Sequence, residues 1–222
     1  MAILRTAPAH PDIITRTLTT RRAAIAGMIG PALFAFLIVL LTGLQYDFMR
    51  DLGWHPLEDS DVPWPSALAL GPYGWLQVAN FVIFGLLLIL FAIGLHREIN
   101  AARWAIVGPA LLILAGTALV LCGFKTDPHL ANGPQTISGW IHALAFFLLI
   151  GSLMPSFFFM WRRLQNDPRW QGYDWYALVS GILALITFFI PGVGFYLSLL
   201  VMLMWIEVMA LRLLSISGQL AT

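Results

Sequence analysis

Six apolar runs dominate this sequence, near Ala23–Leu44, Leu76–Leu95, Trp104–Cys122, Ile137–Trp161, Trp175–Ile190 and Phe195–Leu214. A helix that crosses a bilayer needs about 20 predominantly apolar residues. The runs reach or approach that length, the fifth being the shortest. No strand-like alternation breaks them, and a backbone in lipid cannot leave its polar groups unpaired, so helices are the expected form. A soluble domain carries about 25% charged residues. Here 10% are charged and 59% hydrophobic, and mean hydropathy is +0.83. The chain lacks a polar coat, so lipid must be the solvent for most of its exterior. The expected fold class is all-α: a polytopic membrane protein, a bundle of six transmembrane helices.

Basic residues orient this bundle. Arg5, Arg16, Arg21 and Arg22 precede the first run, Arg97 and Arg103 lie between the second and third, Arg162, Arg163 and Arg169 follow the fourth, and Arg212 ends the sixth. Only Arg50 and Lys125 of the twelve basic residues fall on the opposite side. Lys and Arg accumulate in cytoplasmic loops, which puts both termini inside. The expected organisation is a cytoplasmic segment over 1–22, a transmembrane domain over 23–215 with a long outer loop at 45–75, and a cytoplasmic tail at 216–222. The first run exceeds the length of a signal-peptide core and lacks a small-residue cleavage site, so an uncleaved first span is expected.

A net charge of +1 and an isoelectric point near 8.0 exclude a strongly basic nucleic-acid binder. The single cysteine, Cys122, cannot form an intramolecular disulfide. The outer connection contains Pro56, Pro63, Pro65 and Pro72, which argue against one long helix there. Connections of this length are uncommon and often functional. Trp54, Trp64, Tyr73 and Trp75 suit a loop lying against the bilayer surface, as a cap over the bundle.

Two segments resemble a known family. Ser66 through Gln77 (SALALGPYGWLQ), followed by Phe81 and Gly85, is similar to the first signature of the prokaryotic membrane family called domain of unknown function 998. Gly123-Phe124-Lys125-Thr126-Asp127-Pro128 and Gly139-Trp140-Ile141-His142 resemble the second. Lys125 stands where the pattern usually has a proline, and Ser138 where a histidine is often found. The resemblance extends from Ile25 to Leu214 and implies six membrane helices in a prokaryotic cell membrane, with no established activity.

Three chemistries compete for the polar residues. His55, Asp127, His129 and His142 on the outer side are imidazole and carboxylate donors of the kind Zn²⁺ takes in tetrahedral sites. With Asp127 and His142 as acid/base groups they would make a metal-dependent membrane hydrolase. The plainer reading has Asp127 capping a helix and His142 bonding a neighbour. Glu207, deep in the sixth run, would serve a proton-coupled transporter, or else pair with Ser180, Ser152 or Ser156 at similar depth. Gln77 and Asn80 are expected to bond across helices. The third chemistry needs no catalysis: a scaffold, an accessory subunit, or a binder of lipid, pigment or another apolar ligand. No phosphate loop, dinucleotide fingerprint or paired haem histidines specify a cofactor.

Overall fold

A computed structural model describes residues 11–58, 61–99 and 106–219, with side chains at 11–18 and 219 excepted. Arg5, Asp59, Arg103, Trp104 and residues 220–222 lie outside the described residues, as does the side chain of Arg16. The described residues form seven α-helices: α1 (Pro11–Leu44), α2 (Tyr46–Asp51), α3 (Gly74–Glu98), α4 (Val107–Leu121), α5 (Ile137–Leu164), α6 (Tyr173–Phe188) and α7 (Gly194–Gln219). No strand occurs among them.

Four helices are long and apolar enough to cross a membrane: α1 from Thr19, α3, α5 and α7 to Gly218. The helices α4 and α6 are apolar but shorter, with 15 and 16 residues. At 1.5 Å per residue each covers about 22–24 Å, short of the roughly 30 Å hydrocarbon core. Large apolar side chains, among them Phe36, Val39, Leu144, Phe147 and Ile186, stand exposed on the outside of the bundle. Such a surface is solvated by lipid; this is a membrane protein.

The six longer helices form a closed ring. In chain order α1, α3, α4, α5, α6 and α7 each pack on the next, and α7 returns to α1. Packing between helices in lipid has no hydrophobic drive and depends on close van der Waals fit. Gly85 and Gly116 provide that fit where α3 meets α4. A Cβ on Gly85 would stand 2.5 Å from the Gly116 carbonyl oxygen, and one on Gly116 would stand 2.7 Å from that of Gly85. Aromatic rings fill the middle, with Phe157 of α5 against Trp205 of α7 at a centroid distance of 4.5 Å. Asn80 Nδ2 of α3 donates to the Phe34 carbonyl of α1 at 3.2 Å and to Gln77 Oε1 at 3.3 Å.

The ring has two different ends. One carries the connections 45–73, 122–136 and 189–193. There the long connection folds over the helix ends, with α2 and a 3₁₀ turn at Ser66–Leu70. Its two tryptophans do not lie on a bilayer surface. Trp54 is buried and stacks on Trp64, which meets Tyr196 of α7 at 4.6 Å. Trp54 Nε1 donates to the Tyr196 hydroxyl and Trp64 Nε1 to Thr42 Oγ1. Taking one indole wholly and the other partly out of solvent favours partnered N–H groups, and α1 and α7 supply the partners. Tyr73 and Trp75 do remain exposed.

The opposite end is locked by buried charge. Glu98, fully buried at the end of α3, accepts from Arg169 Nη1 at 2.7 Å and from Thr20 Oγ1 of α1 at 3.2 Å. Arg169 also pairs with Asp167 at 2.7 Å. The Arg169 carbonyl in turn accepts from the Arg212 guanidinium of α7. Arg163 Nη2 donates to the carbonyls of His96 and Ile99, closing the C-terminal end of α3. The Asp167 and Glu98 carboxylates hold the Arg169 guanidinium further toward its charged form than usual. These arginines are more than a topology signal; they tie four segments together.

Candidate functional site

Beneath the cap are two contiguous cavities. The upper one, about 410 Å³, is walled by Trp54, Val62, Pro63 and Trp64 of the cap, His142, Ala143, Phe146 and Phe147 of α5, and Phe195 and Tyr196 of α7. Its rim reaches Glu58 and the exposed Phe147, so it opens to the exterior. The lower one, about 60 Å³, lies within the ring between Phe84 and Leu88 of α3, Leu149 and Leu153 of α5, and Leu199, Met202, Leu203 and Ile206 of α7. Ser66, Phe146 and Phe195 line both. Ligand sites are typically clefts of about 300–1,000 Å³, mostly apolar, with a few convergent polar groups. The upper chamber has that size and lining.

The convergent polar groups are Ser66 and His142. His142 is 5% exposed. Its Nδ1 stands 2.7 Å from the Phe124 carbonyl and 3.0 Å from that of Cys122, at the C-terminal end of α4. Carbonyl oxygens only accept, so Nδ1 carries the hydrogen and donates. The neutral ring then presents the Nε2 lone pair, and Nε2 lies 3.0 Å from Ser66 Oγ. Phe81 of α3 packs against the imidazole in a T-shaped contact at 6.1 Å.

A family model described as "Protein of unknown function (DUF998)" matches residues 28–213. The chain belongs to this family. Nothing among curated proteins or solved structures matches it.

The other residues singled out in this DUF998 protein are distributed rather than assembled. Asp127 accepts from the backbone N–H of Gln135 (2.7 Å), the Thr136 N–H (3.1 Å) and the Thr136 hydroxyl (2.9 Å), while Thr136 Oγ1 accepts from Gly139 N. Asp127 thus fixes the start of α5, and the Gln135 N–H, aided by the two Thr136 donors, holds its carboxyl below the usual range. His129 faces Asp61 at 3.2 Å. His55 Nδ1 accepts from Arg50 at 2.8 Å. Each candidate ligand therefore has a different neighbour, and among the described residues no three His, Cys, Asp or Glu side chains are grouped to hold a metal ion.

The expected pairing of Glu207 with a serine does not form. Ser152 and Ser156 donate to carbonyls of their own helix at 2.6 Å, the local bond that helical serines favour. Ser180 is buried beside Tyr176 of the same helix. Glu207 is half-buried and makes no hydrogen bond among the described residues. Gln77 and Asn80 are buried between α1 and α3, away from the cavity walls.

Ser66 and Glu98 escaped the sequence reading. Ser66 lies 76 residues from His142, and no local motif links them. Glu98 stands between basic residues at a helix end, where a surface carboxylate is the ordinary expectation.

Proposed function

We propose that this chain is a six-span membrane protein, N-terminus and C-terminus inside, that binds a chain-like apolar ligand such as a lipid in the capped cavity. The cytoplasmic segment would be 1–22, the membrane domain 23–215 and the tail 216–222. The two-ended architecture supports the orientation. Arg97, Arg162, Arg163, Arg169 and Arg212 gather at the locked end, and Arg50 and Lys125 at the capped end. In this arrangement α4 and α6 cross the bilayer as members of the ring despite their length, each packed between two longer helices.

One observation supports ligand binding above the scaffold reading: an open chamber of about 410 Å³ that continues into a narrower apolar shaft. A rigid scaffold needs neither. The upper chamber carries Ser66, Thr126, His142 and Tyr196, and the shaft is walled almost wholly by hydrocarbon. The upper chamber suits an amphiphile whose polar linkage sits beside Ser66 and His142 and whose chain lies against Phe146, Phe147 and Phe195.

A diazirine-bearing phospholipid tests this in nanodiscs. Crosslinks are expected on peptides containing His142–Phe147 and Phe195–Leu203. Ala143→Trp, which fills the upper chamber, should remove them while leaving the fold intact. Crosslinks confined to outward-facing residues such as Val39 and Ile186, insensitive to Ala143→Trp, would overturn the proposal.

A further inference from the structure

We propose that Ser66 and His142 are a nucleophile–base pair that cleaves acyl esters, which rests on the reading of the capped cavity as a lipid site. A serine hydroxyl becomes a competent nucleophile when a base lies within about 2.6–3.2 Å and a third group orients that base. All three parts are present. Ser66 Oγ is 3.0 Å from His142 Nε2, and the opposite ring nitrogen is fixed by two carbonyls at 2.7 and 3.0 Å. The carbonyls impose the tautomer in which Nε2 is unprotonated, so the Ser66 hydroxyl donates to it.

The orienting group is a helix end where the familiar triad has a carboxylate. Cys122 and Phe124 belong to the C-terminal end of α4 and its exit, where unpaired carbonyls sum to about half a negative charge. That partial charge favours the imidazolium formed when His142 takes a proton, without burying a formal charge beside it. The position matches the task. Ser66 is partly exposed and lines both chambers. His142 sits behind it, shielded by Phe81. A pair that only latched the cap to α5 would have no need to sit where the polar chamber joins the apolar shaft.

The chemistry balances with an ester and water alone. Ser66 Oγ bonds to the acyl carbonyl carbon as its proton passes to Nε2. The carbon–oxygen bond to the alcohol then breaks, and Nε2 returns the proton to the departing alkoxide. Water attacks the acyl-Ser66 ester, giving its proton to Nε2, and the Ser66 oxygen leaves and regains that proton. The products are a carboxylic acid and an alcohol. The substrate class is a membrane ester whose acyl chain occupies the cavity.

A fluorophosphonate probe reports the pair directly, because a nucleophilic serine displaces fluoride and keeps a stable phosphonyl adduct. On the full chain in nanodiscs, intact mass should show one adduct, mapped to Ser66. Ser66→Ala should abolish it, and His142→Gln should slow it by ~100-fold or more, the usual weight of general-base assistance. Diazirine-lipid crosslinking and thermal unfolding, run on the same variants, show that the cavity and fold persist. No adduct at Ser66 with crosslinking intact would overturn the pair and leave the cavity standing. An adduct formed equally fast in His142→Gln would overturn the base. A His142-dependent adduct without any cavity crosslink would overturn the lipid reading and keep the pair.

Discussion

Replacing Arg169 by alanine should be among the most damaging single changes outside the ring packing. Arg169 is the cation shared by Glu98 and Asp167, both nearly devoid of solvent, while its own side chain is 30% exposed. Removing one partner from a buried pair costs about 3–5 kcal/mol, because the remaining charge stays desolvated. Partial exposure of Arg169 lets water reach part of the void, so the lower bound of about 3 kcal/mol applies. A chain of this size shifts its midpoint by about 2–4 °C per kcal/mol, giving a drop of about 6–12 °C. Glu98→Gln should cost far less. It keeps an acceptor for Arg169 and leaves Asp167 as counter-ion, so only the charged share of one hydrogen bond is lost, about 1 kcal/mol. The double variant should be more stable than Arg169→Ala alone, since it removes a carboxylate that has lost its cation. The protein carries its own reporter: Cys122 is the single cysteine and is buried, so labelling by a thiol-reactive fluorophore on heating follows unfolding. A shift below about 2 °C for Arg169→Ala, or a double variant less stable than the single, would refute this account of the locked end.

Three further outcomes follow from the geometry. Gly116→Ala should lower the midpoint by about 2–12 °C, since its Cβ would meet the Gly85 carbonyl and Ile89 at 2.7 Å and overpacking costs about 1–3 kcal/mol. Gly151→Ala in α5 is the control; nothing lies within 4 Å of its Cβ, so helix propensity should leave it neutral or slightly stabilised. Asp127, with its carboxyl held low in the folded state, contributes stability that is complete above the ordinary value of 3.8 and is lost as pH falls through its lower folded value. Protection of the Gln135 and Thr136 amides, taken relative to the intrinsic exchange rate at each pH, should therefore fall at acid pH in the wild type, whereas Asp127→Asn should show low protection at every pH.

The class of the molecule was legible in one dimension because lipid imposes a constraint that can be read residue by residue. A span must be apolar for its whole length, so the runs at Leu76–Leu95 and Ile137–Trp161 identify α3 and α5 without knowledge of their neighbours. The capping role of Asp127 was also readable, since Asp-Pro ahead of a Thr-x-x-Gly helix start is local. Pairings across long separations were not. Trp54 and Trp64 have the composition of a bilayer anchor, and only the fold of the connection over α1 and α7 turns them inward. Glu98 has no local signal in the sequence, and only the 165–172 connection brings Arg169, with its second partner Asp167, onto it. The metal candidates were expected on one side of the membrane, and the fold gives each a separate partner.

That this chain lives in lipid, that it is helical, and which family it resembles can all be read along the chain. Those properties follow from composition and from signatures continuous in the chain. Tertiary structure alone decided that the helices close into a ring, that the ring is capped at one end and ion-locked at the other, and that Ser66 meets His142 above an apolar shaft. The physical reason is that tautomer, burial and cavity shape belong to surroundings assembled from five helices and a loop, which no single stretch of the chain contains.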